Sequence, residues 1–239
     1  MNTRRIFINT ALVAALALPL AAFSAQAPAA GKPKIGMIGS GNVGSNLGKV
    51  WVSKGYTVMF SSKDIEADRR LAAQIGRGAL AGTPEQAAAF GDVLVLAVPY
   101  GALPELGKSL GSALKGKVVI DASNPFAQRD GAIADQALEQ GAGIVSARLL
   151  PGARIVRAFN AIGAARMGAV HEAPGKIGMP LASDDKAAVD VASAMIRDIG
   201  FEPVLVGGLA MGKYLMPGTP LAGEHTPAEV RQIASTLKP

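Results

Sequence analysis

The sequence predicts an α/β protein built on a mostly parallel, doubly wound sheet, with a small α/β extension at its C-terminal end. Three observations carry that expectation. The run Ile35-Gly36-Met37-Ile38 stops at Gly39, Gly41 and Gly44, spaced G-x-G-x-x-G, and helix-compatible sequence follows. Val93–Val98 is a continuous apolar run and Val118-Val119-Ile120 another, the pattern of strands buried on both faces of a parallel sheet. Strand-like and helix-like stretches then alternate almost to the C-terminus.

Residues 1–27 read as a targeting segment. Arg4-Arg5 precedes Ile6-Phe7-Ile8, residues 11–23 carry no charge, and Ala25-Gln26-Ala27 is an A-x-A cleavage pattern. The uncharged run is short for a membrane span of about 20 residues. Thr3-Arg4-Arg5-Ile6-Phe7 resembles the twin-arginine export signal. The expectation is therefore an exported, periplasmic protein, cleaved near Ala27 and not held in the membrane afterwards. The general secretory route and a retained anchor are the alternatives. The twin-arginine route carries folded proteins, so a cofactor bound in the cytoplasm would travel with its protein. Residues 28–33 form a small-residue linker.

Composition narrows the function classes. The formal net charge is +6, two of those charges being Arg4 and Arg5. The basic residues are scattered, with no stripe interleaved with aromatics, so no nucleic-acid partner is expected. The chain has no cysteine, which removes disulfides, thiol nucleophiles and Cys-zinc sites. His171 and His225 are the only imidazoles, which argues against a histidine metal cluster. No metal is expected, and neither histidine is read as a general base.

Residues 34–150 are read as a dinucleotide-binding domain of the Rossmann type. Strand 35–38 feeds the glycine turn, and a helix runs from Val43 to about Ser53, with Gly55 as its stop. Tyr56–Phe60 is the second strand, Ile65–Ile75 a helix, and 76–81 holds a short third strand. Thr83-Pro84-Glu85-Gln86 starts a helix with a capping signature. The buried strands 93–98 and 118–121 follow, and 128–150 is read as a loop and one or two helices. Residues 151–239 are the extension: strand 154–159, strand 176–182, helix 184–199, strand 202–206, and a last helix opened by Thr226-Pro227-Ala228-Glu229.

The glycine turn carries the chemistry. Gly39 allows a tight turn, Gly41 lets backbone approach a pyrophosphate, and Gly44 lets helix pack on strand. Ser40, Asn42 and Val43 complete a turn whose free N–H groups face phosphates at a helix start. An NAD site usually places an Asp or Glu at the end of the second strand to bond the ribose. Here Ser61-Ser62-Lys63 stands instead. A hydroxyl and an ammonium suit a 2′-phosphate, so Ser62 and Lys63 point to NADP(H). A solvated polar loop is the bland alternative, and Asp64 is close enough to swing toward the ribose. Ligands in such sheets sit beyond the carboxyl ends of the strands. That rule places Val98-Pro99-Tyr100 and Ser123-Asn124-Pro125 beside the cofactor. Tyr100 is read either as a ring-orienting group or as a packing residue.

Taken in order, Ile35–Gly44, Ser61-Ser62-Lys63, Val95–Tyr100, Val119–Pro125 and Arg157–Ile162 resemble the coenzyme F420-dependent NADP oxidoreductases and their NADPH-dependent reductase relatives. The resemblance covers nearly all of the chain after the linker. It implies NADP(H) across the glycine turn, with Ser62 and Lys63 on the 2′-phosphate, although the family's usual arginine is lysine here. It implies that Pro99, Tyr100, Asn124 and Pro125 line the nicotinamide end. It also implies that Phe159-Asn160 floors the pocket of a flavin-like partner, with Asn160 standing where histidine is frequent. The activity implied is direct hydride transfer between NADP(H) and a small-molecule redox acceptor: coenzyme F420, FMN or FAD. Two other readings stay open, a non-catalytic NADP-binding sensor or interaction protein and a small-substrate NADP dehydrogenase. A homodimer is also left open.

Overall fold

The computed structural model describes residues 31–169 and 174–239, and residues 32–239 form one compact unit. The targeting segment, its cleavage point at Ala27, residues 28–30 of the linker and His171 lie outside the described residues.

Eight strands form one sheet in the order β3-β2-β1-β4-β5-β6-β7-β8. The strands are β1 (Ile35–Ile38), β2 (Val58–Ser61), β3 (Ala79–Ala81), β4 (Val93–Leu96), β5 (Val118–Asp121), β6 (Arg154–Arg157), β7 (Gly178–Ala182) and β8 (Glu202–Gly207). The first six pair in parallel, in the strand order of a dinucleotide-binding sheet. β7 joins β6 antiparallel through the single pair Arg157↔Ala182, and β8 pairs with β7 in parallel. The sheet therefore runs unbroken across residue 150. The segment 151–239 adds strands to the same sheet instead of forming a separate lobe.

Side-chain alternation along each strand divides the core in two. Ile35, Met37, Val93, Val95 and Ile120 pack on one face with Trp51, Phe60 and Phe159. Ile38, Leu94, Leu96 and Val119 pack on the other with Tyr100 and Leu103. Burial on both faces explains why β1, β4 and β5 read as apolar runs. Helices α1 (Asn42–Ser53), α2 (Ile65–Ile75) and α3 (Pro84–Phe90) connect the first four strands. A Cβ added at Gly36 would lie 2.2 Å from the carbonyl of Ala87, so glycine at that position lets α3 lie close on β1.

Trp51, near the end of α1, is fully buried and donates its indole N–H to the carbonyl of Met195 at 3.0 Å. Removing that ring from water contributes about 4–6 kcal/mol as an upper figure.

Several boundaries differ from the expectation. β2 begins at Val58, because the amide of Tyr56 closes the α1 turn onto the carbonyl of Trp51. Helix α4 (Leu103–Leu110) was not anticipated between β4 and β5, although Pro104 and Glu105 stand in its first turn and Leu103, Gly107 and Leu110 form its buried stripe. The stretch 128–150 holds α5 (Ala127–Asp130), α6 (Ala132–Gln140) and α7 (Ala142–Leu149). Strand β6 ends at Arg157 instead of Phe159, where the chain kinks: Phe159 has φ 67°, in the left-handed region. Beyond β6 lie α8 (Ala164–Met167), α9 (Lys186–Asp198) and α10 (Pro227–Ser235). The capping boxes foreseen at Thr83 and Thr226 are both formed.

Candidate functional site

The strand order reverses between β1 and β4, and a cavity of about 820 Å³ opens beyond their carboxyl ends. That size suits a cofactor site. Gly39-Ser40-Gly41 lines it after β1, Ser62-Lys63-Asp64 after β2, and Ala97-Val98-Pro99 after β4.

Each glycine of the turn has its own local reason. Gly39 has φ +98°, and a Cβ there would sit 2.4 Å from the carbonyl of Ala97. A Cβ at Gly44 would lie 1.9 Å from the carbonyl of Gly39, so α1 packs directly onto the turn. At Gly41 nothing lies within 4 Å of an added Cβ, so the backbone faces open space. Asn42 and Val43 form the first turn of α1 immediately behind. α1 has no capping side chain at its start, a feature it shares with α4 to α8, and its N-cap residue Gly41 lines the cavity. Its first-turn N–H groups therefore have no capping side-chain acceptor and stand at the positive end of the helix dipole, next to the lining residue Gly41. That arrangement fits a pyrophosphate.

Beyond β2 the chain presents a cation and a short polar network. Lys63 is exposed and makes no ion pair among the described residues. Ser62 donates to the carboxylate of Asp68 at 2.8 Å, and its Oγ accepts the amide of Asp64 at 3.1 Å. Ser40, from the glycine turn, donates to the other oxygen of Asp68. Asp68 is fully buried and was not foreseen, because an aspartate inside an amphipathic helix ordinarily faces water.

Two of the expected site residues are turned inward. Ser61 is fully buried and donates to the carbonyl of Met37 at 2.8 Å, fastening β2 to β1. It takes no part in lining the cavity. Tyr100 is also fully buried. Its phenol donates to the carbonyl of Ala142 at 2.7 Å and lies 3.1 Å from Ser146 Oγ. The ring-orienting reading of Tyr100 therefore gives way to the packing one: the 3-10 turn after Pro99 swings its ring under α7. Burial, reinforced by Asp121, pushes this phenol up to about 12, although its bond to Ser146 and the charge of Arg157 pull the other way.

The ends of β5 and β6 hold a second constellation. Asn124 donates to the carbonyl of Asn160 at 2.8 Å, and Asn160 donates to that of Ser123 at 3.1 Å. Pro125 is buried beside them. Below them lies a fully buried ion pair, Arg157 to Asp121 at 2.8 Å. Asp121 also accepts from Ser146 at 2.7 Å and from the amide of Ser123 at 2.9 Å, and Arg157 donates to the Ser123 carbonyl at 3.0 Å. Ser123 Oγ, Asn124 Oδ1 and Asn160 Oδ1 are buried oxygens without a hydrogen-bond partner. Asn124, Pro125 and Asn160 do not line the cavity.

Arg129 connects the two constellations. It lines the cavity and donates to the carbonyl of Asn124 at 2.8 Å, while its guanidinium lies 5.0 Å over the ring of Phe126. It also pairs with Asp130. Burial raises the carboxyl pKa of Asp130, but the bonds from Arg129 and from the amides of Phe126 and Gly101 outweigh it and hold the group low. Arg129, Asp130, Pro84 and the first turn of α4 with Glu105 were missed as lining residues. The stripe Leu103, Gly107, Leu110 would have revealed α4. Arg129 had no pattern to mark it.

Comparison with known proteins adds to this geometry. Residues 34–125 match the family described as NADP oxidoreductase coenzyme F420-dependent. The chain is 31% identical over 202 residues to the F420-dependent NADP reductase of Methanothermobacter thermautotrophicus, covering 79% of this chain and 87% of that protein. It is 29% identical over 188 residues to Metalloreductase STEAP3 of Rattus norvegicus, covering 76% of this chain but only 35% of that longer protein. Among solved structures, protein SMa0349 of Sinorhizobium meliloti superposes with a TM-score of 0.69 at 24% identity, over 81% of this chain and 95% of that one. That likeness concerns the fold.

Proposed function

The chain belongs to the coenzyme F420-dependent NADP oxidoreductases and is an NADP-dependent oxidoreductase; we propose that it passes a hydride directly between NADP(H) and a deazaflavin or flavin-like ring. The observation that carries the reading is the cavity itself. It joins the start of α1, the open face of Gly41 and Lys63, which has no ion-pair partner among the described residues, across the strand-order reversal. A pyrophosphate at the α1 amides and a 2′-phosphate beside Lys63 suit those groups.

When bound, the nicotinamide supplies the hydride chemistry, and the protein's share is binding, orientation and exclusion of water. Val98 and Pro99 offer apolar and backbone surface at the end of β4. The orphaned oxygens of Ser123, Asn124 and Asn160 are buried acceptors at the ends of β5 and β6 and do not line the cavity. The Asp121–Arg157 pair holds the turn that carries two of them. Direct transfer needs stacked rings and no protein acid or base. His225 contacts the carbonyl of Ala222 at 3.1 Å and does not line the cavity.

The test is NADPH oxidation by purified protein with a panel of deazaflavin, FMN and FAD. Turnover with at least one ring is expected. Tight NADPH binding with no oxidation across the panel would favour the non-catalytic sensor. We also propose, on Arg4-Arg5 and Ala25-Gln26-Ala27, that the protein is exported and cleaved near Ala27. Mass spectrometry of protein from the periplasmic fraction is expected to give a chain beginning at Pro28 and to reveal any dinucleotide carried with it. A full-length chain found only in the cytoplasm would refute this.

A further inference from the structure

We propose that Asp68 sets how strongly the site prefers NADPH over NADH, by taking the hydroxyl protons of Ser40 and Ser62. The proposal rests on the assignment of the cavity to a dinucleotide. The observation behind it is a mismatch. The family resemblance gives Ser62 to the 2′-phosphate, yet the proton that would make that bond is committed elsewhere.

A serine hydroxyl has one proton and two lone pairs. At Ser62 the proton goes to Asp68 Oδ2 at 2.8 Å, in preference to the Asp64 carbonyl at 3.3 Å. One lone pair takes the amide of Asp64 at 3.1 Å. What remains for a ligand is a single acceptor site. A ribose 2′-hydroxyl has a proton to offer it, and a 2′-phosphate dianion does not. Ser40 donates to the other carboxylate oxygen and is committed in the same way. Asp68 is fully buried, and no cation lies within ion-pair distance of it among the described residues. Its carboxylate is thus held by the two serine hydroxyls and by its place in the first turn of α2, without a paired cation, near where a 2′-phosphate would add more negative charge. Lys63 is left as the side chain that favours the phosphate.

The same atoms make the preference adjustable. In Asp68→Asn the charge is gone, and the amide N–H₂ donates to one serine oxygen instead of accepting from it. That serine's proton is then free to turn toward the phosphate. One hydrogen bond to a charged acceptor corresponds to about tenfold or somewhat more in affinity.

The experiment is calorimetric titration of the intact protein and two variants with NADPH and with NADH. Asp68→Asn is expected to raise the ratio of NADPH to NADH affinity about tenfold. Ser62→Ala keeps the test decisive if Asp68→Asn does not fold: it is expected to weaken NADH several-fold and leave NADPH nearly unchanged. A ratio unchanged or lowered in folded Asp68→Asn, or a Ser62→Ala variant that loses NADPH more than NADH, would overturn the role of Asp68 alone. Wild-type protein that binds neither dinucleotide would overturn the site assignment, and this proposal with it.

Discussion

Replacing Arg157 by methionine probes the buried pair at the ends of β5 and β6. The guanidinium and the Asp121 carboxylate are both fully enclosed, 2.8 Å apart. Gly143 and Gly212 press on the side chain: a Cβ on either would lie 3.0 or 2.7 Å from Arg157 Cδ. Methionine fills much of that slot but leaves Asp121 charged without a cation. Stranding one member of such a pair costs about 3–5 kcal/mol. Asp121 keeps its bonds from Ser146 and from the amide of Ser123, so the lower end, about 3 kcal/mol, is expected. For a unit of this size that corresponds to a melting point lowered by about 6–12 °C. Urea denaturation at unchanged m checks it. The double variant Asp121→Asn/Arg157→Met, with no buried charge left, is expected to recover a substantial part of the loss. A single variant within about 1 kcal/mol of the parent, or a double variant no better than the single, would refute the reasoning.

The remaining predictions concern the cavity and the surface around it. Lys63→Glu is expected to weaken NADPH about tenfold more than NADH, as reversal of an exposed charge suggests; titration showing equal losses removes Lys63 from the 2′-phosphate. Gly44→Ala puts a methyl 1.9 Å from the Gly39 carbonyl, so binding of both dinucleotides is expected to fall while most of the fold survives; unchanged affinity would mean the turn relaxes freely. Asp198 accepts from Lys32 at 2.6 Å and from Tyr56 at 2.9 Å. Burial raises its carboxyl pKa, but those two bonds and the Lys32 charge outweigh it and hold the group low. A carboxyl depressed in the folded state adds stability above its unfolded value of about 3.9 and loses it as pH falls through the folded one. Acid titration of stability below about pH 4 is therefore expected to be shallower in Asp198→Asn, and identical profiles would remove Asp198 from the acid transition.

Much of the site could be read from the sequence because its signals are local. Gly39, Gly41 and Gly44 are forced by contacts within one turn, and an apolar run announces a strand buried on both faces. What escaped depends on partners distant in sequence. Tyr100 faces α7 because its phenol donates to the Ala142 carbonyl and lies against Ser146 Oγ, which no neighbouring residue foretells. Asp68 is hidden by serines 28 and 6 residues away. Arg129 reaches the cavity through the path of α5, a four-residue helix with no buried residue to mark it. The antiparallel β6–β7 junction rests on one residue pair, too little to leave a pattern.

The bond from the Trp51 indole to the Met195 carbonyl bears on the order in which the protein is made. Helix α1 is held by the last third of the chain, by Met195 through Trp51 and by Ala164 through Asn46, and Asp198 holds Tyr56 just beyond its end. A nascent chain that has emerged only to residue 150 holds every glycine of the turn but none of these supports. The backing of α1 is thus complete only once the last third of the chain has docked against it.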